Sequence, residues 1–177
     1  MCSKYNICGF LSGNSSILES KFNDENYNDM FNIVINQNIY KLYFDYNSIA
    51  FITDCEVGGN MICAETIMNI RRKARLEIYL YNILPFKNRE KYLTKTYKNR
   101  YKILREKCNI TSYVGDEYTK KCFSQKDKLI IEHSNILFCI YSLKNKSKIR
   151  NLLDIALIKR KRLILLDIET LNVINFY

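Results

Sequence analysis

Short apolar runs alternate with longer amphipathic segments along nearly the whole chain, and this alternation constrains the fold more than any other feature. The runs are YNICGFLS (residues 5–12), SIAFIT (48–53), LEIYLYNI (76–83), ITSYV (110–114), ILFCIYS (136–142) and RLILLDI (162–168). They are too short for helices and too continuously apolar for half-solvated strands, so they read as buried strands. Between them lie helical patterns. Residues 25–44 space Tyr27, Met30, Phe31, Val34, Ile35 and Leu42 along one face behind a capping Asp24. Residues 60–74 run into a basic RRKAR, and residues 87–107 carry Tyr92, Tyr97, Tyr101 and Leu104 near one face. Residues 117–133 and 146–159 complete the set. Pro85 reads as a stop just beyond the third strand. Residues 169–177 fit no element. Strict alternation of this kind predicts an α/β, Rossmann-like doubly wound fold, with a mostly parallel sheet of about six strands and helices on both faces.

In such sheets ligands bind outside the carboxyl ends of the strands, near the point where strand order reverses. The bends after residues 12, 53, 84, 115 and 142 are therefore the segments that would carry a site. The bend TDCEVGGN is the richest of them. Gly58 and Gly59 permit positive φ and close backbone approach. Asn60 reads both as the cap of the following helix and as a ligand contact, and a helix start there would draw an anion. Ser12, Gly13 and Asn14 after the first strand are candidates by the same reasoning. Cys55 stands beside the helix start, but Asp54 and Glu56 flank it and oppose a thiolate.

Composition narrows the remaining options. One domain spanning 1–177 is expected, with no linker and no repeat. No apolar run approaches the ~20 residues of a membrane helix. MCSKYNICGF does not read as a secretion signal, and the seven cysteines are irregularly spaced with no CxxC pair. A cytoplasmic protein with free thiols is expected. With one histidine, His133, no zinc site is expected. The net charge of +10 is matched by abundant Asn, Ile, Lys and Tyr, residues of A/T-rich codons. Nucleic acid is thus not the favoured partner. The nine basic residues from Lys87 to Lys107 read as a solvated helix face.

Four segments, in order, carry a resemblance. ITDCEVGGNMICAE is similar to the glycine-rich strand-turn-helix of the YpsA-like branch of the SLOG superfamily, I-S-G-G-A-L-G-x-D-x-x-A-A-E. Gly58 falls on its last glycine, Asn60 on its acidic position, Ala64 on an alanine and Glu65 on its glutamate. NILPF, with Pro85 and Phe86, resembles the strand ending in Pro-Phe. QKDKLIIEHSNILFCIY resembles R-N-x-x-M-V-D-x-S-D-x-L-I-A-V-Y, and ICGFLSGNS resembles the F-T-G-H-R start. The sequence departs from the pattern at Asp54, where a glycine is usual, and at Gln125 and Lys126, where Arg-Asn is usual. SLKNKSK replaces a Gly-Gly-Thr helix start, and Asn14 and Ser15 replace His-Arg. Asp54 and Glu56 would repel a phosphate, and Lys126, Lys144 or Lys146 would offset them.

The resemblance implies a binding protein for a nucleotide or nucleotide-derived metabolite, such as an ADP-ribose compound or a cyclic nucleotide. Ser12, Gly13, Asn14, Asp54, Gly58, Gly59, Asn60, Glu65, Pro85 and Lys126 would line its site. No cofactor is implied. One alternative is an N-glycosidic-bond hydrolase with Glu65 as acid/base; another is a non-catalytic module acting through its basic surface. The resemblance, with 14 tyrosines, also implies a homodimer or larger assembly.

Overall fold

The structure is a computed structural model describing residues 5–145 and 148–176. Its strands are β1 (Asn6–Ser12), β2 (Ser48–Thr53), β3 (Tyr79–Phe86), β4 (Ile110–Gly115), β5 (Ile136–Tyr141), β6 (Arg162–Asp167) and β7 (Val173–Phe176). They form one sheet in the order β4-β3-β2-β1-β5-β6-β7. Every pairing is parallel except β6 with β7. The helices are α1 (Ser15–Lys21), α2 (Glu25–Phe44), α3 (Gly59–Ala74), α4 (Lys95–Lys107), α5 (Cys122–His133) and α6 (Ile149–Ile158). A doubly wound, Rossmann-like architecture results, with seven strands among the described residues where the sequence suggests about six.

The continuous apolar runs divide between two cores. In β5, Ile136, Phe138 and Ile140 face one core while Leu137, Cys139 and Tyr141 face the other. In β6, Ile164 and Leu166 oppose Leu163 and Leu165 in the same way. The period of two puts alternate side chains on opposite faces, so a strand covered on both sides must be apolar throughout. The first core is closed by α1 to α4, with Leu18, Phe31, Ile35, Ile67 and Tyr101 buried. The second is closed by α5 and α6 through Ile130, Ile131, Leu153 and Ala156. Strand order runs outward from β1 to β4, then jumps back across the sheet to β5. Right-handed crossovers force helices before and after that jump onto opposite faces.

Local details agree with the sequence at some places and correct it at others. Asp24 caps α2, accepting the Tyr27 N–H at 3.2 Å. The third strand begins three residues later than its apolar run and continues through Pro85. Its pairing with β2 ends at Asn82, so beyond that point it has a neighbour on one side only, where proline is tolerated. The helix expected over 87–107 is two pieces. Asn88 turns with φ 57, a 3-10 turn spans Arg89–Tyr92, and Leu93 and Thr94 are extended before α4 begins. Tyr101 and Leu104 are buried as a core stripe requires, but Tyr92 lies outside the helix and is 69% exposed. The helix expected over 117–133 starts only at Cys122. The C-terminal segment without assignment contains β7, reached by a turn in which Leu171 N–H donates to Asp167 O at 2.8 Å. Lys146, Cys2 and the start of the helix expected over 146–159 lie outside the described residues. Among the described residues, no helix is long and apolar enough to cross a membrane.

Candidate functional site

A cavity of about 500 Å³ opens at the carboxyl ends of β1 and β2, beside the β1–β5 junction where the strand order reverses. Its wall combines the bend after β1 (Ser12 to Ser15), the bend after β2 (Asp54, Glu56, Val57, Asn60), α5 (Phe123, Lys126, Asp127) and the start of α6 with Lys148. The first bend is held by Gly13 N–H donating to Ile140 O at 2.9 Å. Asn14 adopts φ 55 and accepts the Ser142 N–H at 3.3 Å, tying the β1 and β5 ends together.

The bend after β2 closes on its own side chains. Thr53 Oγ1 accepts the Cys55 N–H at 3.0 Å, and Asp54 Oδ1 accepts the Glu56 N–H at 2.9 Å. Two amides of a would-be phosphate cradle are thereby consumed. Gly58 has φ 106 and begins the helix as its cap residue; a side chain there would bring its Cβ within 3.2 Å of the Ser15 Cβ. Gly59 presses against Ile140 instead of facing the cavity. Asn60 is not the cap its position suggests. Its Nδ2 donates to Asp54 Oδ1 at 2.7 Å, and its buried Oδ1 has no hydrogen-bond partner.

Asp54 is almost fully buried, and Lys126 from α5 meets its other oxygen. Lys126 also lies 2.9 Å from Asp127. Burial works against the lysine's charge, but Asp54, then Asp127 and Glu56, outweigh it and raise its pKa. The lysine stays a cation. The two departures from the family pattern therefore compensate each other: a carboxylate stands where glycine is usual, and the ammonium that neutralises it stands where asparagine is usual. Glu56 is gripped by Arg89 through two hydrogen bonds of 2.9 Å. Burial and then Asp54 still raise its carboxyl above the usual range, with Arg89 and Lys126 opposing. Burial likewise raises Asp127.

Residues 18–173 match the protein family described as the YspA SLOG family. The chain belongs to that family. No curated protein matches it. SLOG membership agrees with the resemblance read from the motifs and with a fold suited to nucleotide-related ligands.

Within this SLOG domain the expected site residues separate. Ser12, Gly13, Asn14, Asp54, Asn60 and Lys126 line the cavity together. Gly58 packs against Ser15 and Gly59 against Ile140, and neither lines the cavity. Pro85 is buried in β3 and does not line it. Glu65 lies elsewhere: it forms a two-bond ion pair with Arg100 at 2.7 and 2.6 Å, lining a separate cavity with Asn28, Asn32 and Asn69. The helical register explains this, because Glu65 sits five residues beyond Asn60, more than a full turn, and faces α4. Cys55 is buried with φ 53, and hydrogen bonding to Cys108 together with burial pushes its thiol up, away from a nucleophilic thiolate. Among the described residues no cluster of His, Cys, Asp or Glu is arranged to hold a metal ion.

Sequence reasoning misses Arg89, Phe123, Asp127 and Lys148. Asp127 carries a signal, since it adjoins Lys126 in a segment that resembles the family. Arg89 carries none, because its segment reads as continuous helix. A second cavity, about 480 Å³, opens at the other end of the sheet beside Asn135, Arg160 and Arg162. There Lys161 donates to Ser134 O at 2.6 Å and Glu132 O at 3.2 Å, closing the end of α5. That role is structural.

Proposed function

We propose that this SLOG protein binds a nucleotide-derived small molecule in the cavity at the reversal of strand order. The observation that carries the reading is Asn60 Oδ1, an unpartnered acceptor on a residue 2% exposed and lining that cavity. An acceptor left unmade in a buried site costs about 1–3 kcal/mol, which a donor from a ligand returns. Asp127, partly exposed at the cavity, adds a further acceptor, so the floor suits a donor-rich group such as a ribosyl diol. The Lys126 ammonium offsets part of the floor's negative charge, and Lys148 at the rim, beside the start of α6, suits a phosphate. The family match supports the same class of ligand.

Hydrolysis through Glu65 does not fit this cavity. A hydrolase that relied on Glu65 would need that carboxylate at the sugar, whereas it is held by Arg100 outside the cavity. A thermal-shift screen with nucleotides, cyclic nucleotides and ADP-ribose tests the proposal. A true ligand raises the melting temperature in proportion to the logarithm of its concentration. The rise should shrink in Asn60→Ala. A panel that leaves the melting temperature of wild type unmoved sinks the proposal.

A further inference from the structure

Among the described cysteines, Cys108 alone is not fully buried; Cys8, Cys55, Cys63, Cys122 and Cys139 are enclosed. Cys108 is the residue that follows α4, and its backbone is already extended. Tyr101 and Leu104 are the buried residues of that helix. Cys108 continues their line at i, i+3 and i+7, and it packs against the same core. Cys55 lies in that core too, in the bend after β2. The two cysteine side chains hydrogen-bond to each other beneath the end of α4.

The pair is asymmetric. The hydrogen bond with Cys55 lowers the Cys108 thiol below its ordinary value; burial opposes, and the Arg71 guanidinium lowers it further. Arg71 is fixed there by its own bonds, to Lys107 O at 2.9 Å and to Asn109 Oδ1 at 3.1 Å, on either side of Cys108 in the chain. The same hydrogen bond, and then burial, raise the Cys55 thiol. A half-buried thiol that ionises therefore stands next to an enclosed one that keeps its proton. Accessible thiolates with a second thiol at hand are the cysteines that oxidise reversibly.

We infer that Cys108 and Cys55 form a reversible modification site for a hydroperoxide, closing to a disulfide that ties the end of α4 to the bend after β2. The Cys108 thiolate attacks one peroxide oxygen and the O–O bond breaks. That oxygen stays on sulfur as a sulfenic acid; the other takes a proton from solvent and leaves as an alcohol, or as water when the oxidant is hydrogen peroxide. The Cys55 sulfur then attacks the sulfenic sulfur. The S–S bond forms, the S–O bond breaks, and hydroxide leaves with the Cys55 proton as water. The two thiols give up two electrons in all, and the peroxide gains them. A dithiol reverses the bond by exchange. The consequence reaches the main cavity through the chain itself. Cys55 has φ 53 and sits between Asp54 and Glu56, and Asp54 Oδ1 accepts the Glu56 N–H across it at 2.9 Å. A bond to Cys55 pulls on the turn that carries both carboxylates.

Peptide mapping of wild-type protein treated with hydrogen peroxide tests the inference without depending on any variant. The expected product is a peptide pair linked through Cys55 and Cys108, lighter than the two reduced peptides by two hydrogens and separated again by dithiothreitol. Cys8, Cys63, Cys122 and Cys139 should still be alkylated once the treated protein is unfolded. In Cys55→Ser, Cys108 should stop at the sulfenic acid and be labelled by dimedone; in Cys108→Ser, Cys55 should keep its thiol. The Glu56 side-chain carboxyl carbon resonance should move when wild type is oxidised and stay in place in treated Cys108→Ser. Linkage of any other cysteine pair overturns the inference, as does oxidation of Cys108 to a sulfinic acid with no link to Cys55. A linked protein whose Glu56 resonance does not move refutes the pull on the bend.

Discussion

Removing the Lys126 ammonium should be among the most damaging single changes available to this protein. Lys126 and Asp54 are both almost fully buried, and they join α5 to the bend after β2. At an effective dielectric of about 20, a unit charge pair at hydrogen-bond distance is worth on the order of 5 kcal/mol before desolvation. Desolvation consumes much of that while the pair is intact, so the pair itself adds little. Lys126→Met removes the attraction and leaves the cost of burying Asp54, a loss of about 3–5 kcal/mol for a broken buried pair. The lower end applies here, because Asp54 keeps hydrogen bonds from the Glu56 N–H and the Asn60 amide. We expect a loss at that lower end, about 3 kcal/mol. Urea unfolding followed by far-ultraviolet circular dichroism measures it. The double variant Asp54→Asn with Lys126→Met should recover a large part, because no uncompensated charge remains buried. A Lys126→Met variant within about 1 kcal/mol of wild type, or a double variant whose loss is the sum of the two singles, would refute the account.

Gly59→Ala places a carbon 2.9 Å from Ile140 Cδ1 and 3.0 Å from its Cβ and Cγ2, so overpacking should cost about 1–3 kcal/mol in urea melts. Combined with Ile140→Ala, the two losses should be less than additive; strict additivity contradicts the contact. Glu65→Gln should change stability by less than about 1 kcal/mol, since its pair with Arg100 is about one-third exposed, and should leave AMP affinity alone. A tenfold loss of AMP affinity in that variant would return Glu65 to the site. Glu56 and Asp127 titrate above their ordinary values of 4.5 and 3.8, because burial disfavours their charged forms. Their contribution to stability is complete below those values and is lost as pH rises through the higher folded ones. Carbon-13 titration of the two side-chain carboxyls checks this, and midpoints at or below the ordinary values contradict it.

The sheet is legible in the sequence because both of its faces are covered. Covered strands must be apolar at successive positions, and that pattern survives in SIAFIT and ILFCIY without reference to anything distant. The bends at the strand ends follow, and with them Ser12, Gly13, Asn14, Asp54 and Asn60, because parallel strands deliver their carboxyl ends to one side; Lys126, on α5, is legible only through the family-like segment that contains it. Strand β7 is not legible. It is antiparallel at the sheet edge, half-buried and four residues long, so it carries little apolar pattern of its own.

Tertiary structure alone decides which candidates meet. Lys126 stands 72 residues from Asp54, and nothing local to either one marks them as partners. In the sequence Asp54 reads as a loss of phosphate affinity; in the fold an ammonium from α5 neutralises it. Glu65 reads as a site residue because it falls on a family position, but helical register turns it toward Arg100. Tyr92 reads as part of a helix stripe, but the break at Leu93 and Thr94 places its ring against Phe86 instead. Apolar periodicity is a short-range property of the chain and determines which elements form. Pairing of charges and convergence of rings depend on where those elements pack, and no window of sequence contains that information.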